Sequence, residues 1–333
     1  MLRPGLARRI AVAGAVAGPL AMMMMVVFHP SPAKGGEYHK GTQLICSDCH
    51  TMHFSMQHDY SGGAAPTLGS GGPFGKLLKD SSTNICKSCH DGQTFAPDVI
   101  GANTGSHVRS AGALTTGASP YEDYKGHTMG YTGTAPGGTT AVTSFSCANC
   151  HQPHGNTSYR NLNTAVTYAL GTNDTTKDVF VRGWTLGSVS TNYADSNVDF
   201  NEPTSTASAM GTFCKSCHTN FHGASTDTNM KSSGSWIRHP TADANITSTL
   251  LTQFQNKLYR VKVMSPTGQW GTQGTAWTTA PSDTTPTCQS CHRAHGNKNP
   301  FGLVFASGTA AINEEGDGTG MRTLCGQCHT QGN

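Results

Sequence analysis

The sequence predicts a chain that is mostly irregular coil with few short helices and strands, and three observations lead there. Apolar residues make up 35% of the 333, while there are 40 glycines and 16 prolines. That supplies too little Leu, Ile and Val to fill a polypeptide core of this size. The pentapeptide Cys-x-x-Cys-His occurs six times, at Cys46/Cys49/His50, Cys86/Cys89/His90, Cys147/Cys150/His151, Cys214/Cys217/His218, Cys288/Cys291/His292 and Cys325/Cys328/His329. These six copies use all twelve cysteines, so none remains for a disulfide or a nucleophile.

Cys-x-x-Cys-His is the attachment sequence of a c-type haem: two thioethers tether the porphyrin, and the adjacent imidazole is aimed at the iron. A Cys-x-x-Cys pair alone also serves zinc sites and redox dithiols, but neither requires histidine as the next residue six times out of six. The fold class is therefore a multihaem c-type cytochrome with a haem-stack core, holding six haems c. The macrocycles supply the apolar surface the polypeptide lacks, at about fifty residues per haem. Without them, too little apolar area remains to offset conformational entropy, and a disordered chain is expected.

In chain order, residues 1–33 read as an export signal. Arg3, Arg8 and Arg9 form a positive start, Ile10 to Phe28 is apolar, and Ser31-Pro-Ala33 offers small residues for cleavage. Gly14, Gly18 and Pro19 interrupt the apolar run and argue against a retained anchor, although its length approaches that of a membrane span. Residues 34–333 are read as one hexahaem domain. Loss of the three signal arginines leaves 19 of the 22 basic residues against 19 acidic ones. Haem propionates then make the surface acidic, which excludes nucleic acid as a partner.

Short helical turns are expected after several attachment motifs, and weak strands at Asp178–Arg182, Leu258–Val263 and Phe301–Phe305. Tyr259, Val261 and Val263 share one face of the second. Gly- and Pro-marked loops lie between these segments. Successive first cysteines are 40, 61, 67, 74 and 37 residues apart, so there is no fixed repeat period. Gly69 to Lys76 is glycine-rich but lacks the spacing and the strand–helix context of a phosphate loop.

The histidines carry the functional reading. The six motif histidines are the proximal ligands. Nine others remain outside the signal, enough for a second histidine on every iron. His53, His154 and His295 follow a proximal histidine by three residues and His222 by four. Such a residue starts on the proximal side of its own haem and cannot reach the opposite face, so if it binds iron it binds a different haem. With His127 and His239, these are the six distal candidates, with His39 and His107 in reserve and His58 behind them. Met52, Met56, Met129 and Met264 are read as packing residues, histidine being plentiful.

The ordered strings Cys46-Ser-Asp-Cys-His-Thr-Met-His53, Lys125-Gly-His127, Cys147-Ala-Asn-Cys-His-Gln-Pro-His154, Cys214-Lys-Ser-Cys-His-Thr-Asn-Phe-His222, Arg238-His-Pro240 and Cys288-Gln-Ser-Cys-His-Arg-Ala-His295 carry a resemblance. With the sixth motif near the C-terminus, the chain resembles the hexahaem outer-surface cytochromes that polymerise into extracellular conductive filaments. That resemblance implies six bis-histidine haems in one continuous stack. It also implies that His53 crosses to the iron held by His292 of a neighbouring copy. A further implication is extracellular electron transfer by a homopolymer at the outer cell surface, with other multihaem cytochromes and extracellular acceptors as partners. A soluble periplasmic shuttle is the alternative. A multihaem reductase ranks last, because six regular motifs and surplus histidine leave no sign of an open iron position.

Overall fold

A computed structural model describes residues 39, 44–51, 74–104, 109, 111–155, 159–163, 180–181, 198–199, 209–219, 221, 239, 254, 257–261, 263 and 286–329. The chain divides into two units, Met1–Lys34 and Gly35–Asn333, and every described residue lies in the second. Among them, helices are short: α1 Cys46–Cys49, α2 Ser82–His90, α3 Cys147–Cys150, α4 Ala209–Lys215, α5 Cys288–Cys291 and α6 Met321–Cys325. Strands are two residues each: β1 Gly133–Thr134 pairs antiparallel with β2 Ala141–Val142, and β3 Phe180–Val181 with β4 Val198–Asp199. The rest of the described chain is turns and coil held by isolated bridges. None of the described helices is long and apolar enough to cross a membrane.

The helical turns fall on the attachment motifs rather than after them. The reason is local in α1, α3 and α5. The residue before the second cysteine accepts from the backbone N–H just ahead of the first: Ile45 to Asp48 Oδ2 at 2.9 Å, Ser146 to Asn149 Oδ1 at 2.7 Å, Thr287 to Ser290 Oγ at 2.9 Å. The following histidine leaves the helix in extended geometry while its N–H still reaches the first cysteine's carbonyl. One turn thus presents both sulfurs and turns the imidazole out.

Beyond each odd motif the chain forms a threefold structural repeat that the uneven spacing hides. His50, His151 and His292 each form an antiparallel bridge with a leucine, at Leu78, Leu162 and Leu303. Thr51, Gln152 and Arg293 donate to the carbonyls of Leu77, Asn161 and Gly302 at 2.8, 2.7 and 2.8 Å. Lys79, Asn163 and Val304 donate back to Cys49, Cys150 and Cys291 at 2.9, 2.8 and 2.8 Å. A 3₁₀ turn precedes each leucine, with a non-glycine residue at positive φ in its middle: Lys76 at 61°, Arg160 at 53°, Phe301 at 59°. This strained residue is costly for an L-amino acid, and it recurs because it aims a carbonyl at the histidine. The repeat survives linkers of different length because the hydrogen bonds, not the spacing, define it.

The even motifs sit differently. Motif two lies inside α2, capped by Ser81 Oγ accepting from Asn84 N at 3.2 Å. Motifs four and six begin at the ends of α4 and α6. α2 packs against α3, and α4 against α5, so each of these even motifs meets the next odd one. The described apolar core is one small cluster beside motifs five and six, formed by Phe254, Val261, Val263, Val304, Ala306 and Leu324. The buried amide of Gln327 ties it together, accepting from Val261 N at 2.9 Å and donating to Ala306 O at 2.8 Å.

Two expected strands are corrected. Leu258–Val263 contributes Val261 and Val263 to the core, as their shared face implies, but its described residues form turns and coil. Phe301–Phe305 begins in the 3₁₀ turn, and its left-handed Phe301 prevents a strand. Within Asp178–Arg182, Phe180–Val181 does pair as β3.

Candidate functional site

All six motif histidines are described, and five of them face a histidine from elsewhere in the chain. Ring centroids are separated by 5.9 Å for His50–His154, 6.1 Å for His90–His39, 6.2 Å for His151–His295, 6.0 Å for His218–His127 and 6.1 Å for His329–His239. Two imidazoles sharing one metal, each nitrogen about 2 Å from it, bring their centroids to roughly 6 Å. Rotation about the metal–nitrogen axis leaves that distance unchanged, so interplanar angles from 17° to 83° are compatible with it. The residues present therefore fit a group held by two cysteines and clasped between two histidines.

Hydrogen bonds set the tautomers. Nδ1 donates to a backbone carbonyl in His50 (Lys76, 3.0 Å), His90 (Pro97, 3.0 Å), His151 (Arg160, 3.0 Å), His218 (Pro136, 2.7 Å) and His292 (Phe301, 2.7 Å). The carbonyl can only accept, so in the neutral ring Nδ1 carries the proton and Nε2 keeps the lone pair a metal needs. The strained Lys76, Arg160 and Phe301 are the source of three of these carbonyls. Pro136 is delivered by the turn between β1 and β2, which is pinned by Thr140 Oγ1 donating to Ser216 O at 3.1 Å.

His39 and His127 are oriented in the same way by the segment after an odd motif. Their Nδ1 atoms donate to Pro153 O at 3.0 Å and Ala294 O at 2.8 Å. Pro153 and Ala294 occupy the same place, two residues past a proximal histidine. His295 differs: its Nδ1 is buried without a well-aligned acceptor, and the Gly112 carbonyl alongside only partly counters the burial. Burial pushes His295 down to about 3, with His151 as the next cause. Burial likewise lowers His90, His127, His151 and His292. These imidazoles are held neutral, the form that ligates a metal.

The backbone around His295 is tightly determined. Gly296 bridges to both Gly112 and Gly126. His295 N donates to Ala111 O at 2.8 Å, Ala113 N to Gly296 O at 2.8 Å, and His127 N to His295 O at 2.9 Å. Gly296 has φ +119°, and a Cβ there would lie 2.5 Å from Gly126 Cα. Only glycine allows two backbones to meet so closely. The adjoining Arg109–Glu314 ion pair, 2.9 and 3.0 Å, ties the segment before the second repeat to the third.

Of the six distal candidates, His127, His154, His239 and His295 stand opposite motif histidines. His53 and His222 lie outside the described residues, as do His58 and the reserve His107. The reserve His39 stands opposite His90, which sequence spacing could not reveal: the nearest motif, seven residues on, is not the one it faces. Among the described residues no histidine faces His292.

A family model for the doubled CXXCH motif matches residues 280–333, which contain motifs five and six. The C-type cytochrome OmcS of Geobacter sulfurreducens is 22% identical over 347 residues, covering 78% of this chain and 78% of its own. The chain is similar to OmcS. Among solved structures, the outer membrane cytochrome S filament from Geobacter sulfurreducens is 20% identical, with 89% of this chain and 99% of that one covered and a TM-score of 0.44. The OmcS nanowires of the same organism, determined by cryo-EM, are 17% identical, with 85% and 92% covered and a TM-score of 0.47. The likeness to OmcS and the doubled motif both agree with a coil-rich chain organised by c-type haem attachment.

Proposed function

We propose that this chain holds six c-type haems and conducts electrons outside the cell as a homopolymer, with His53 of one copy ligating the iron held by His292 of the next. When bound, haem supplies a one-electron couple. The chain's own contribution is to fix two neutral imidazoles on each iron, to set neighbouring attachment turns against one another, and to close the axial positions that a reductase would leave open.

The observation that carries this reading is a rule obeyed inside the chain. The histidine three residues past motif three, His154, faces His50 of motif one. The histidine three residues past motif five, His295, faces His151 of motif three. Each such histidine reaches back to the preceding odd motif. By the same rule His53, three residues past motif one, has no preceding odd motif in its own chain, and His292 is left as the matching iron position. A neighbouring copy supplies what each lacks, consistent with the OmcS-like sequence. Residues 1–33 would direct export, placing the mature chain at the outer cell surface, where other multihaem cytochromes and extracellular acceptors are its partners.

Negative-stain micrographs and intact mass of the secreted protein test this together. Filaments built from chains of six haems and no free thiol are expected. Monodisperse six-haem protein would instead favour the periplasmic shuttle, and five haems or fewer in matured protein would refute the stoichiometry.

A further inference from the structure

The chain is a threefold repeat of a two-motif unit, and its two ends carry the halves of a boundary that is complete twice inside it. Each unit has an upstream histidine facing its own even motif (His39–His90, His127–His218, His239–His329) and an odd motif whose trailing histidine faces the unit before. Within a unit the second cysteines are electrostatic neighbours: Cys49 with Cys89, Cys150 with Cys217, Cys291 with Cys328. Between units the first cysteines come together. Cys86 is within hydrogen-bonding reach of Cys147 where α2 packs on α3, and Cys214 of Cys288 where α4 packs on α5.

That between-unit arrangement leaves Cys325 on α6 and Cys46 on α1 as the two unmatched first cysteines. They are also the two exposed cysteines of the twelve. Their surroundings differ from the internal boundaries in the apolar surface they show. The residue before each odd motif is half-buried Ser146 and buried Thr287 inside the chain, but Ile45 at the free end, 56% exposed. Four residues before the even motif's first cysteine stands half-buried Ser82 in α2, but Met321 in α6, 54% exposed. Large apolar side chains thus lie open at the two positions that internal boundaries cover.

We infer that copies join by stacking α6 of one on α1 of the next as α2 stacks on α3 and α4 on α5, with Met321 and Ile45 buried at the seam and Cys325 beside Cys46. The occupant of each face is a second copy of this chain. The inference rests on the homopolymer reading and adds the surface through which it is made. The junction is then equivalent to the internal boundaries, so the spacing between attachment turns continues unchanged from one copy to the next.

The test is a photo-crosslinking benzoylphenylalanine in place of Met321 in the full, haem-loaded secreted protein. Illumination should give a ladder of dimers and higher species on denaturing gels, with residue 321 joined to the peptide containing Ile45 of another copy. Crosslinks only to other segments, in filaments that still form, would overturn this seam while leaving the homopolymer reading intact. Secreted wild-type protein that never polymerises would overturn both. Ile45→Asp with Met321→Asp supplies a second measurement: polymers should need at least about tenfold more protein, with six haems retained. Unchanged assembly of that double variant would also overturn the seam.

Discussion

Replacing Gly296 with alanine should displace a histidine without touching it. The new Cβ would meet Gly126 Cα at 2.5 Å and Lys125 O at 2.6 Å, where ordinary contact begins at 3.4 Å, so the segment must move by about 1 Å. The left-handed backbone adds about 1–2 kcal/mol of strain for a residue with a Cβ. Moving the strand also puts three short backbone bonds at risk, His295 N to Ala111 O, Ala113 N to Gly296 O and His127 N to His295 O, at about 1 kcal/mol each. The total is about 4–5 kcal/mol. A metal–ligand distance tolerates only about 0.2 Å, so His295 should lose its place opposite His151 before the fold is lost. Electron paramagnetic resonance and carbon monoxide binding of the purified protein are the assays. Six attached haems are expected, with the one at motif three high-spin and open to carbon monoxide. Gly75→Ala, where a Cβ meets nothing within 4 Å, should be silent. If Gly296→Ala stays fully low-spin with an unchanged thermal midpoint, the close approach of the two backbones does not position His295.

The same geometry makes two further outcomes testable. His39→Ala should convert one haem, that of Cys86 and Cys89, to high spin; the loss of signal from another motif instead would break the upstream-histidine rule. Glu314→Ala leaves the Arg109 guanidinium, whose side chain is 2% exposed, buried without its counter-charge. That should cost about 3–5 kcal/mol and lower the thermal midpoint of the holoprotein, which calorimetry would show.

The attachment motifs are legible in the sequence because Cys-x-x-Cys-His is a chemical requirement written contiguously. So is the fact that a histidine three residues past a motif must serve a different haem, since the chain direction forbids the other face. Which haem is not legible: His295 finds His151 because Gly112, Gly126 and Gly296 bring remote backbones together, and no local pattern encodes that approach. His39 ranks only as a reserve from sequence for a similar reason. Its orienting acceptor is Pro153 O, 114 residues away, in the following unit. The threefold repeat is invisible to any test for constant spacing. Its units are defined by a bridge to leucine and a left-handed residue, and 26 residues separate His50 from Lys76 where nine separate His151 from Arg160 and His292 from Phe301. A strand does not form at Leu258–Val263 because burial of Val261 and Val263 is met by the Gln327 amide rather than by a neighbouring strand.

The central claim is that the histidine rule linking odd motifs inside the chain continues between copies, and His53→Ala tests it most directly. Removing this imidazole leaves all twelve cysteines and every proximal histidine in place. Secreted H53A protein should carry six haems by intact mass, show one high-spin haem per chain, and remain monomeric in micrographs in which wild-type protein forms filaments. H53A filaments with every haem low-spin would contradict the account.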